Sequence, residues 1–287
     1  MRPAPRWQPV LAAGASRSAG ARRPTRSERG DPSVLKDTTA VVTGASSGIG
    51  AAVAEALAAE GASVALLARR RDRLNGLAEA INARDGGRAE VYEADVTDPD
   101  AVRAAVDAAA GRGGDSNGID ILVNNAGSGT WGPALGAELD DWHATVDVNV
   151  GGVLNATHAA LPHLARAADA APRGVADLVT VSSLAGRRVP GPDSNVYAAT
   201  KHAVGAFSEA LRQELAERHV RVGVVEPGIV VTELTTAGRP HAPDATRPTG
   251  YGLLQPEDVA AAVVFMVTRP RHVALNEMLV RPTEQTC

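Results

Sequence analysis

Residues 43–50 read Thr-Gly-Ala-Ser-Ser-Gly-Ile-Gly, and this stretch decides the fold of the chain. It follows a short apolar strand predicted at Ala40–Thr43 and leads into a helix predicted over roughly Ile49–Glu60. Glycines let a backbone approach a pyrophosphate closely, and the amides at the start of the helix receive its negative charge. A glycine triplet alone is equally typical of a structural turn. The strand–turn–helix context favours a dinucleotide-binding turn.

Apolar strands and helical segments alternate from Thr39 to the end of the chain. Further strands are predicted at Ser63–Ala68, Ala89–Ala94, Ile119–Val123, Leu178–Ser182, Val220–Glu226 and Ala274–Val280. Further helices are predicted at about Asp72–Ala83, Asp98–Ala110, Asp140–Ala167 with an interruption at Pro162, Tyr197–Arg218 and Gln255–Thr268. Alternating units of this length build a parallel sheet that is covered on both faces. The sequence therefore predicts a doubly wound, Rossmann-type α/β fold. It is a three-layer sandwich around a parallel seven-stranded sheet, in a single domain over residues 37–287.

The composition excludes several classes of protein. The 287 residues include one cysteine, Cys287, so neither a disulfide framework nor a cysteine-based zinc site is predicted. The seven histidines show no clustered ligand spacing, and no metal site is predicted. No apolar run approaches the roughly 20 residues of a membrane span, so a membrane protein is not expected. The cysteine usage fits a reducing compartment, and we expect a cytoplasmic protein.

Charge is distributed unevenly along the chain. Residues 1–36 carry eight basic groups and two acids, whereas the whole chain has a net charge of −4. The remainder is therefore acidic, and binding to nucleic acid is not expected. The first 36 residues are rich in Pro, Ala, Gly, Ser and Arg. We predict that they form a disordered basic N-terminal extension, either an inert tail or a transit-like targeting segment.

The end of the second strand discriminates between NAD and NADP in folds of this type. An acidic residue there hydrogen-bonds the ribose 2′-hydroxyl, whereas an arginine accommodates a 2′-phosphate. This chain has three consecutive arginines at that point, Arg69 to Arg71, and no acid before Asp72. Arg69 is the first candidate and Arg70 the second, and a solvated helix start is the alternative. NADP(H) is favoured over NAD(H).

Tyr197 and Lys201 lie one turn apart on a predicted helix. An ordinary tyrosine, with a pKa near ~10, is a poor acid or base at neutral pH, but a nearby ammonium favours the phenolate and lowers this pKa. The chain has only three tyrosines and two lysines, so their meeting at this spacing favours a chemical role over a surface pair.

Ser182 and Ser183 follow the fifth strand at its carboxyl end, where parallel sheets bind ligands. One of these hydroxyls can hydrogen-bond a substrate carbonyl and stabilise a developing oxyanion. Serines at the end of a strand are also common turn formers, so this signal is weak by itself.

Together these residues resemble the short-chain dehydrogenase/reductase family. The resemblance runs from Thr39 to about Gln285, and the motifs come in the order typical of the family. They are TGASSGIG at 43–50, Asp95-Val96, NNAG at 124–127, Asn149, SSLAG at 182–186, YAATK at 197–201, and Pro227-Gly228 leading to Thr232. Ser183 and Tyr197 are 14 positions apart, one more than is usual, which leaves Ser182 as the alternative serine.

The resemblance implies a role for each matched residue. Tyr197 would be the general acid/base, Ser183 would orient the carbonyl, and Lys201 would hold the nicotinamide ribose and lower the pKa of the tyrosine. Asn149 would anchor a water of a proton relay. Cofactor contacts would come from Gly44, Ser46, Ser47, Gly48, Ile49, Gly50, Arg69, Arg70, Asp95, Val96, Asn124, Ala126, Gly127, Tyr197, Lys201, Pro227, Gly228, Ile229 and Thr232.

The implied activity is NADP(H)-dependent interconversion of a small-molecule aldehyde or ketone and an alcohol by hydride transfer. ARRRDRL at 68–74 and NEMLVRPTEQ at 276–285 resemble the bacterial NADP-dependent branch with clavulanic acid dehydrogenase and serine 3-dehydrogenase-like enzymes. This suggests secondary metabolism, and the family implies a homodimer or homotetramer. Two alternatives stay open: an NAD-dependent alcohol dehydrogenase and a non-catalytic NADP-binding regulatory protein.

Overall fold

A computed structural model of the chain describes residues 34–111, 118–170, 172–236 and 250–286. Of the predicted extension, residues 1–33 lie outside the described residues. The next residues, Val34–Asp37, form a turn, and Leu35 is fully buried in the core. The Leu35 amide donates to Glu60 O (3.0 Å), which connects this turn to the end of the first helix. Leu35 therefore belongs to the folded domain.

Seven parallel strands of the described residues form one sheet. They are β1 (Thr39–Thr43), β2 (Ser63–Ala68), β3 (Arg88–Glu93), β4 (Ile121–Asn124), β5 (Ala176–Val181), β6 (Val220–Pro227) and β7 (Glu277–Val280). Their order is β3-β2-β1-β4-β5-β6-β7, and each neighbouring pair is parallel. The strand order reverses between β1 and β4, and folds of this type bind ligands in the crevice outside the carboxyl ends of the strands at such a point.

Helices cover both faces of the sheet. They are α1 (Gly48–Ala59), α2 (Arg71–Asn82), α3 (Pro99–Ala110), α4 (Leu139–Val146), α5 (Gly152–Ala170), α6 (Asn195–Leu215), α7 (Glu233–Thr236) and α8 (Pro256–Val267). One core cluster packs α1, α2 and α8 on the sheet, and a second packs α3, α5 and α6. β1 and β5 are buried at every position, as expected of strands covered on both faces. The predicted single doubly wound domain with a seven-stranded parallel sheet is confirmed.

The segment predicted as one helix over Asp140–Ala167 has a different structure. Pro162 was expected to interrupt it, but α5 continues through this residue. The carbonyl that loses its helical partner there belongs to His158, which is exposed and can bind water instead. The irregularity lies earlier, where Asp147–Gly151 form a π-helical turn between α4 and α5. Such turns are frequent at functional sites, and this one carries Asn149.

A buried ionic network lies at the amino-terminal edge of the sheet. The Asp177 carboxylate on β5 accepts hydrogen bonds from Arg221 Nε (2.8 Å) and Arg173 Nη2 (2.7 Å). Both arginines also donate to Val267 O at the end of α8. The network therefore connects β5, β6 and α8, and the cleft described below lies at the opposite edge. Among the described helices, none combines the length and apolar character that a membrane span requires.

Candidate active site

The glycine-rich turn lies between β1 and α1. Gly44 and Gly48 have φ angles of +67° and +55°, which residues with a β-carbon rarely adopt. A β-carbon on Gly44 would lie 2.8 Å from Ala126 Cα, and one on Gly50 would lie 2.4 Å from Asn125 Nδ2. Asn125 Nδ2 also donates to Gly44 O (3.3 Å). The turn therefore packs directly on the segment after β4, at the reversal point of the sheet.

Several hydrogen-bond donors gather at the amino terminus of α1. Ser47 occupies the N-cap position, but its side chain makes no capping hydrogen bond and accepts one from Arg70 Nη2 (2.7 Å) instead. Ser46 Oγ accepts from Arg70 Nε (3.0 Å) and Nη2 (2.9 Å). Two hydroxyls, a guanidinium and a helix amino terminus thus line one cleft. This donor set fits the phosphates of a dinucleotide.

The two candidate arginines are placed differently. The Arg69 side chain is 73% exposed, and its guanidinium lies 3.5 Å from the Asp95 carboxylate. Arg70 reaches the glycine-rich turn and also pairs with Glu233 (2.8 Å). Both arginines line the cleft. The second candidate from the sequence is therefore the one that the fold brings to the hydroxyls of the turn.

Asp95 follows β3 and faces the same cleft. Burial raises its pKa, but hydrogen bonds from the Thr97 amide (3.0 Å) and hydroxyl (2.9 Å) and the charge of Arg69 outweigh this effect. The pKa of Asp95 is therefore held below its ordinary value. An ionised acceptor fixed in this way suits hydrogen bonding to a hydroxyl or amino group of a ligand.

Tyr197 and Lys201 lie near the start of α6, and both are buried. Lys201 Nζ lies 5.7 Å from the centroid of the Tyr197 ring and donates to Val181 O (3.2 Å). Burial lowers the pKa of Lys201 to about 8, because the ammonium loses its hydration. The ring of Trp131 packs on Tyr197 with 5.3 Å between centroids. A cation near a phenol can stabilise the phenolate form, which acid/base chemistry near neutral pH requires, so this arrangement suits proton transfer.

The two serines after β5 have different hydrogen bonds. Ser182 is buried, and its hydroxyl donates to Lys201 O (3.2 Å). Ser183 is half-buried, and its Oγ accepts from the Ala185 amide (3.1 Å) at the start of a short 3₁₀ turn. The hydroxyl of Ser182 already donates to a carbonyl of α6. The geometry therefore favours Ser183 as the donor to a ligand in the cleft.

Asn149 lies on the π-helical turn and is not part of the cleft lining. Its Oδ1 accepts from the Ser128 amide (2.8 Å), and its Nδ2 donates to Ser128 O (2.9 Å) and to Thr200 Oγ1 (3.0 Å). Thr200 precedes Lys201 on α6. Asn149 therefore connects the segment after β4 to the helix that carries Tyr197 and Lys201.

The cleft brings together most of the residues predicted from the sequence. Those that line it are Gly44, Ser46, Ser47, Gly48, Ile49, Arg69, Arg70, Asp95, Val96, Ala126, Gly127, Ser183, Tyr197, Lys201, Pro227, Gly228 and Thr232. Gly50, Asn124, Asn149 and Ile229 are not part of the lining. Asn124 donates to Thr157 Oγ1 (2.9 Å) on α5, and the Ile229 amide donates to Gln285 Oε1 (3.0 Å).

The sequence reasoning missed several lining residues, among them Asn125, Ser128 and Glu233. Asn125 is the second residue of the NNAG motif and Ser128 follows it directly, so the motif itself signals both residues. Ser128 Oγ is buried without a hydrogen-bond partner among the described residues. Glu233 pairs with Arg70, from which it is 163 positions distant. No local pattern signals such a pair, because only the fold brings the two segments together.

Comparisons with known proteins agree with this geometry. A family model described as short chain dehydrogenase matches residues 38–242. Over 88% of its length, the chain is 42% identical to glycine betaine reductase ATRR of Emericella nidulans, and it spans 19% of the length of that relative. Over 87% of its length it is 35% identical to an uncharacterized oxidoreductase of Staphylococcus aureus, of which it covers 99%.

Two solved structures are similar over most of the chain. A short chain dehydrogenase from Burkholderia cenocepacia, in complex with NADP, is 37% identical with a TM-score of 0.75, covering 86% of this chain and 97% of that chain. The 3-ketoacyl-(acyl-carrier-protein) reductase from Brucella melitensis, complexed with NADH, is 31% identical with a TM-score of 0.75 and the same coverages, 86% and 97%. The similar structures thus include a complex with each of the two nicotinamide cofactors.

Proposed function

The chain belongs to the short-chain dehydrogenase family, and from this premise we propose that it is an NADP(H)-dependent oxidoreductase that interconverts a carbonyl group and an alcohol. One observation carries the proposal. Tyr197, Lys201 and Ser183 line the same cleft as the glycine-rich turn. A proton donor, a cation and a hydroxyl therefore line one cavity together with Ser46, Ser47 and Arg70, which could bind phosphate.

The residues of the cleft divide into two groups by their chemistry. The amides at the start of α1 would hold the pyrophosphate of the cofactor, and Arg70 with Ser46 and Ser47 would hold the 2′-phosphate of NADP(H). Lys201 would hold the ribose next to the nicotinamide. A bound nicotinamide supplies the hydride in reduction and accepts it in oxidation.

Tyr197 moves the proton in the proposed reaction. In reduction its hydroxyl donates a proton to the substrate oxygen, and in oxidation its phenolate accepts the proton of the alcohol. The ammonium of Lys201 makes the phenolate accessible near neutral pH. Ser183 donates a hydrogen bond to the same substrate oxygen and stabilises the negative charge that develops there.

The preference for NADP(H) rests on the arginines after β2. Arg69 and Arg70 both line the cleft, and the two carboxylates beside them are each paired with an arginine, Asp95 with Arg69 and Glu233 with Arg70. Two guanidiniums favour a ligand with an additional phosphate. We further propose a small aldehyde or ketone of secondary metabolism as the substrate, and a homodimer or homotetramer in the cytoplasm.

The test is cofactor consumption with a panel of aldehydes and ketones, for the wild type and for Tyr197→Phe. We expect the wild type to consume NADPH faster than NADH. Tyr197→Phe should lower kcat/KM at least about 100-fold, because it removes general acid/base catalysis, and should leave NADPH binding within about twofold. Tyr251→Phe is the matched control, since the Tyr251 side chain is 86% exposed and this variant should retain full activity.

Each alternative has its own outcome in this experiment. Consumption of NADH in preference to NADPH would favour an NAD-dependent alcohol dehydrogenase. NADPH binding without turnover of any substrate would favour a regulatory protein. Equal activity of Tyr197→Phe and wild type would remove Tyr197 as the acid/base.

A further inference from the structure

The Glu233 carboxylate occupies the donor cluster at the glycine-rich turn. Its Oε2 accepts from Arg70 Nη1 (2.8 Å) and from the Ser47 hydroxyl (3.3 Å). Its Oε1 accepts from Arg73 Nη1. Glu233 lies at the start of α7, directly after Thr232, and lines the cleft. A negatively charged group of the chain itself therefore sits on the donors that would bind a phosphate.

The carboxylate is fully ionised in this position. Hydrogen bonds from Arg70 and Arg73 lower the pKa of Glu233 to about 2. Carboxylate and phosphate oxygens are recognised by the same guanidinium and hydroxyl donors. In geometry and charge, Glu233 thus resembles the anion that the cluster is suited to bind.

All three guanidinium nitrogens of Arg70 donate hydrogen bonds within the chain. Nε and Nη2 donate to the two serines, and Nη1 donates to Glu233. A phosphate that binds Arg70 must therefore replace the carboxylate or lie beside it against like-charge repulsion. Arg73 pairs with Glu233 but is not part of the cleft lining, so Glu233 keeps a cationic partner when it leaves Arg70.

We propose that Glu233 is a specificity-determining residue whose carboxylate competes with the 2′-phosphate of the cofactor for Arg70. This inference rests on the proposed function, because it requires a dinucleotide in the cleft. Arg70 follows β2, where the adenosine ribose binds in folds of this type, so the competition acts on the 2′-phosphate. The carboxylate lowers the affinity for phosphorylated cofactor and leaves that for the unphosphorylated form unchanged.

The experiment uses isothermal titration of the full chain with 2′,5′-ADP and with 5′-AMP, which differ by the 2′-phosphate. Glu233→Gln should tighten 2′,5′-ADP by about fivefold, in line with the modest strength of exposed ion pairs, and leave 5′-AMP unchanged. Glu217→Gln is the matched control. It removes the same charge from an exposed turn that precedes β6, at the opposite edge of the sheet, and should change neither affinity.

A double-variant cycle attributes the effect to Arg70. In an Arg70→Ala background, Glu233→Gln should no longer tighten 2′,5′-ADP, because the shared partner is absent. Equal tightening of both nucleotides by Glu233→Gln, or weaker binding of 2′,5′-ADP, would overturn the inference. If the wild type binds 2′,5′-ADP and the variant binds it with the same affinity, this inference alone fails. If the wild type binds neither nucleotide, the proposed function fails as well.

Discussion

At the scale of single residues, Lys201 is held in an environment that disfavours its charge. Its side chain is buried, and burial lowers its pKa to about 8. The carbonyl of Val181 accepts one hydrogen bond from the ammonium and stabilises it in part. A cation near the Tyr197 ring is suited to assist proton transfer. Its desolvation lowers the stability of the folded state.

The buried lysine predicts a dependence of stability on pH. Between pH 8 and 10.5 the unfolded chain keeps the Lys201 proton while the folded chain loses it, so stability rises with pH in this window. Relative to Lys201→Met, the wild type should gain up to about 3 kcal/mol of unfolding free energy across it. Urea unfolding of both proteins from pH 7 to 10.5 measures this difference. Parallel pH profiles would contradict the lowered pKa.

At the scale of elements, the π-helical turn Asp147–Gly151 places one side chain between two segments of the site. Asn149 on this turn pairs with both backbone groups of Ser128 and with Thr200 on α6. The turn therefore connects the helices α4 and α5 to the loop after β4 and to the helix that carries Tyr197. A regular helix would direct the side chain of this residue differently.

Removing the Asn149 amide should be costly for this reason. We expect Asn149→Ala to lower the unfolding free energy by about 2–3 kcal/mol, because it leaves the amide and carbonyl of Ser128 without their partner. Asn155→Ala on α5 is the control. It removes one hydrogen bond, to Val96 O (2.9 Å), and should cost about 1 kcal/mol. Urea unfolding measures both losses, and equal losses would speak against the special role of Asn149.

At the scale of the whole molecule, the candidate site and a buried ionic network lie at opposite edges of the sheet. The carboxyl-terminal edge carries the cleft with Tyr197 and the glycine-rich turn. The amino-terminal edge carries the buried network of Asp177, Arg173 and Arg221, which connects strands to the end of α8. The candidate ligand site and this ionic network therefore lie at opposite edges of the sheet.

This separation predicts that stability can be lost without loss of binding. Asp177→Asn leaves two largely buried guanidiniums without their carboxylate and should lower the unfolding free energy by about 3–5 kcal/mol. The dissociation constant for 2′,5′-ADP should stay within about twofold at a temperature where the variant is folded. Urea unfolding and calorimetric titration give the two quantities. A large loss of affinity in the folded variant would show that the edges are coupled.

The sequence predicted the elements well where a local period carries the signal. α1 and β2 lie within a residue or so of their predicted bounds, because a helical stripe or an apolar run is encoded in neighbouring residues. The π-helical turn escaped prediction, since such turns are rare and occur mostly as single turns inside α-helices. The continuation of α5 through Pro162 also escaped it, because packing of the buried face outweighs the loss of one hydrogen bond.

The sequence by itself determined the fold class, the glycine-rich turn and the i, i+4 pair of Tyr197 and Lys201, because each depends on residues close together along the chain. Only the tertiary structure decided that Arg70 rather than Arg69 meets the hydroxyls of the turn, and that Glu233 meets Arg70. The physical reason is distance along the chain. Contacts between segments more than 20 positions apart depend on how strands and helices pack, which no local pattern encodes.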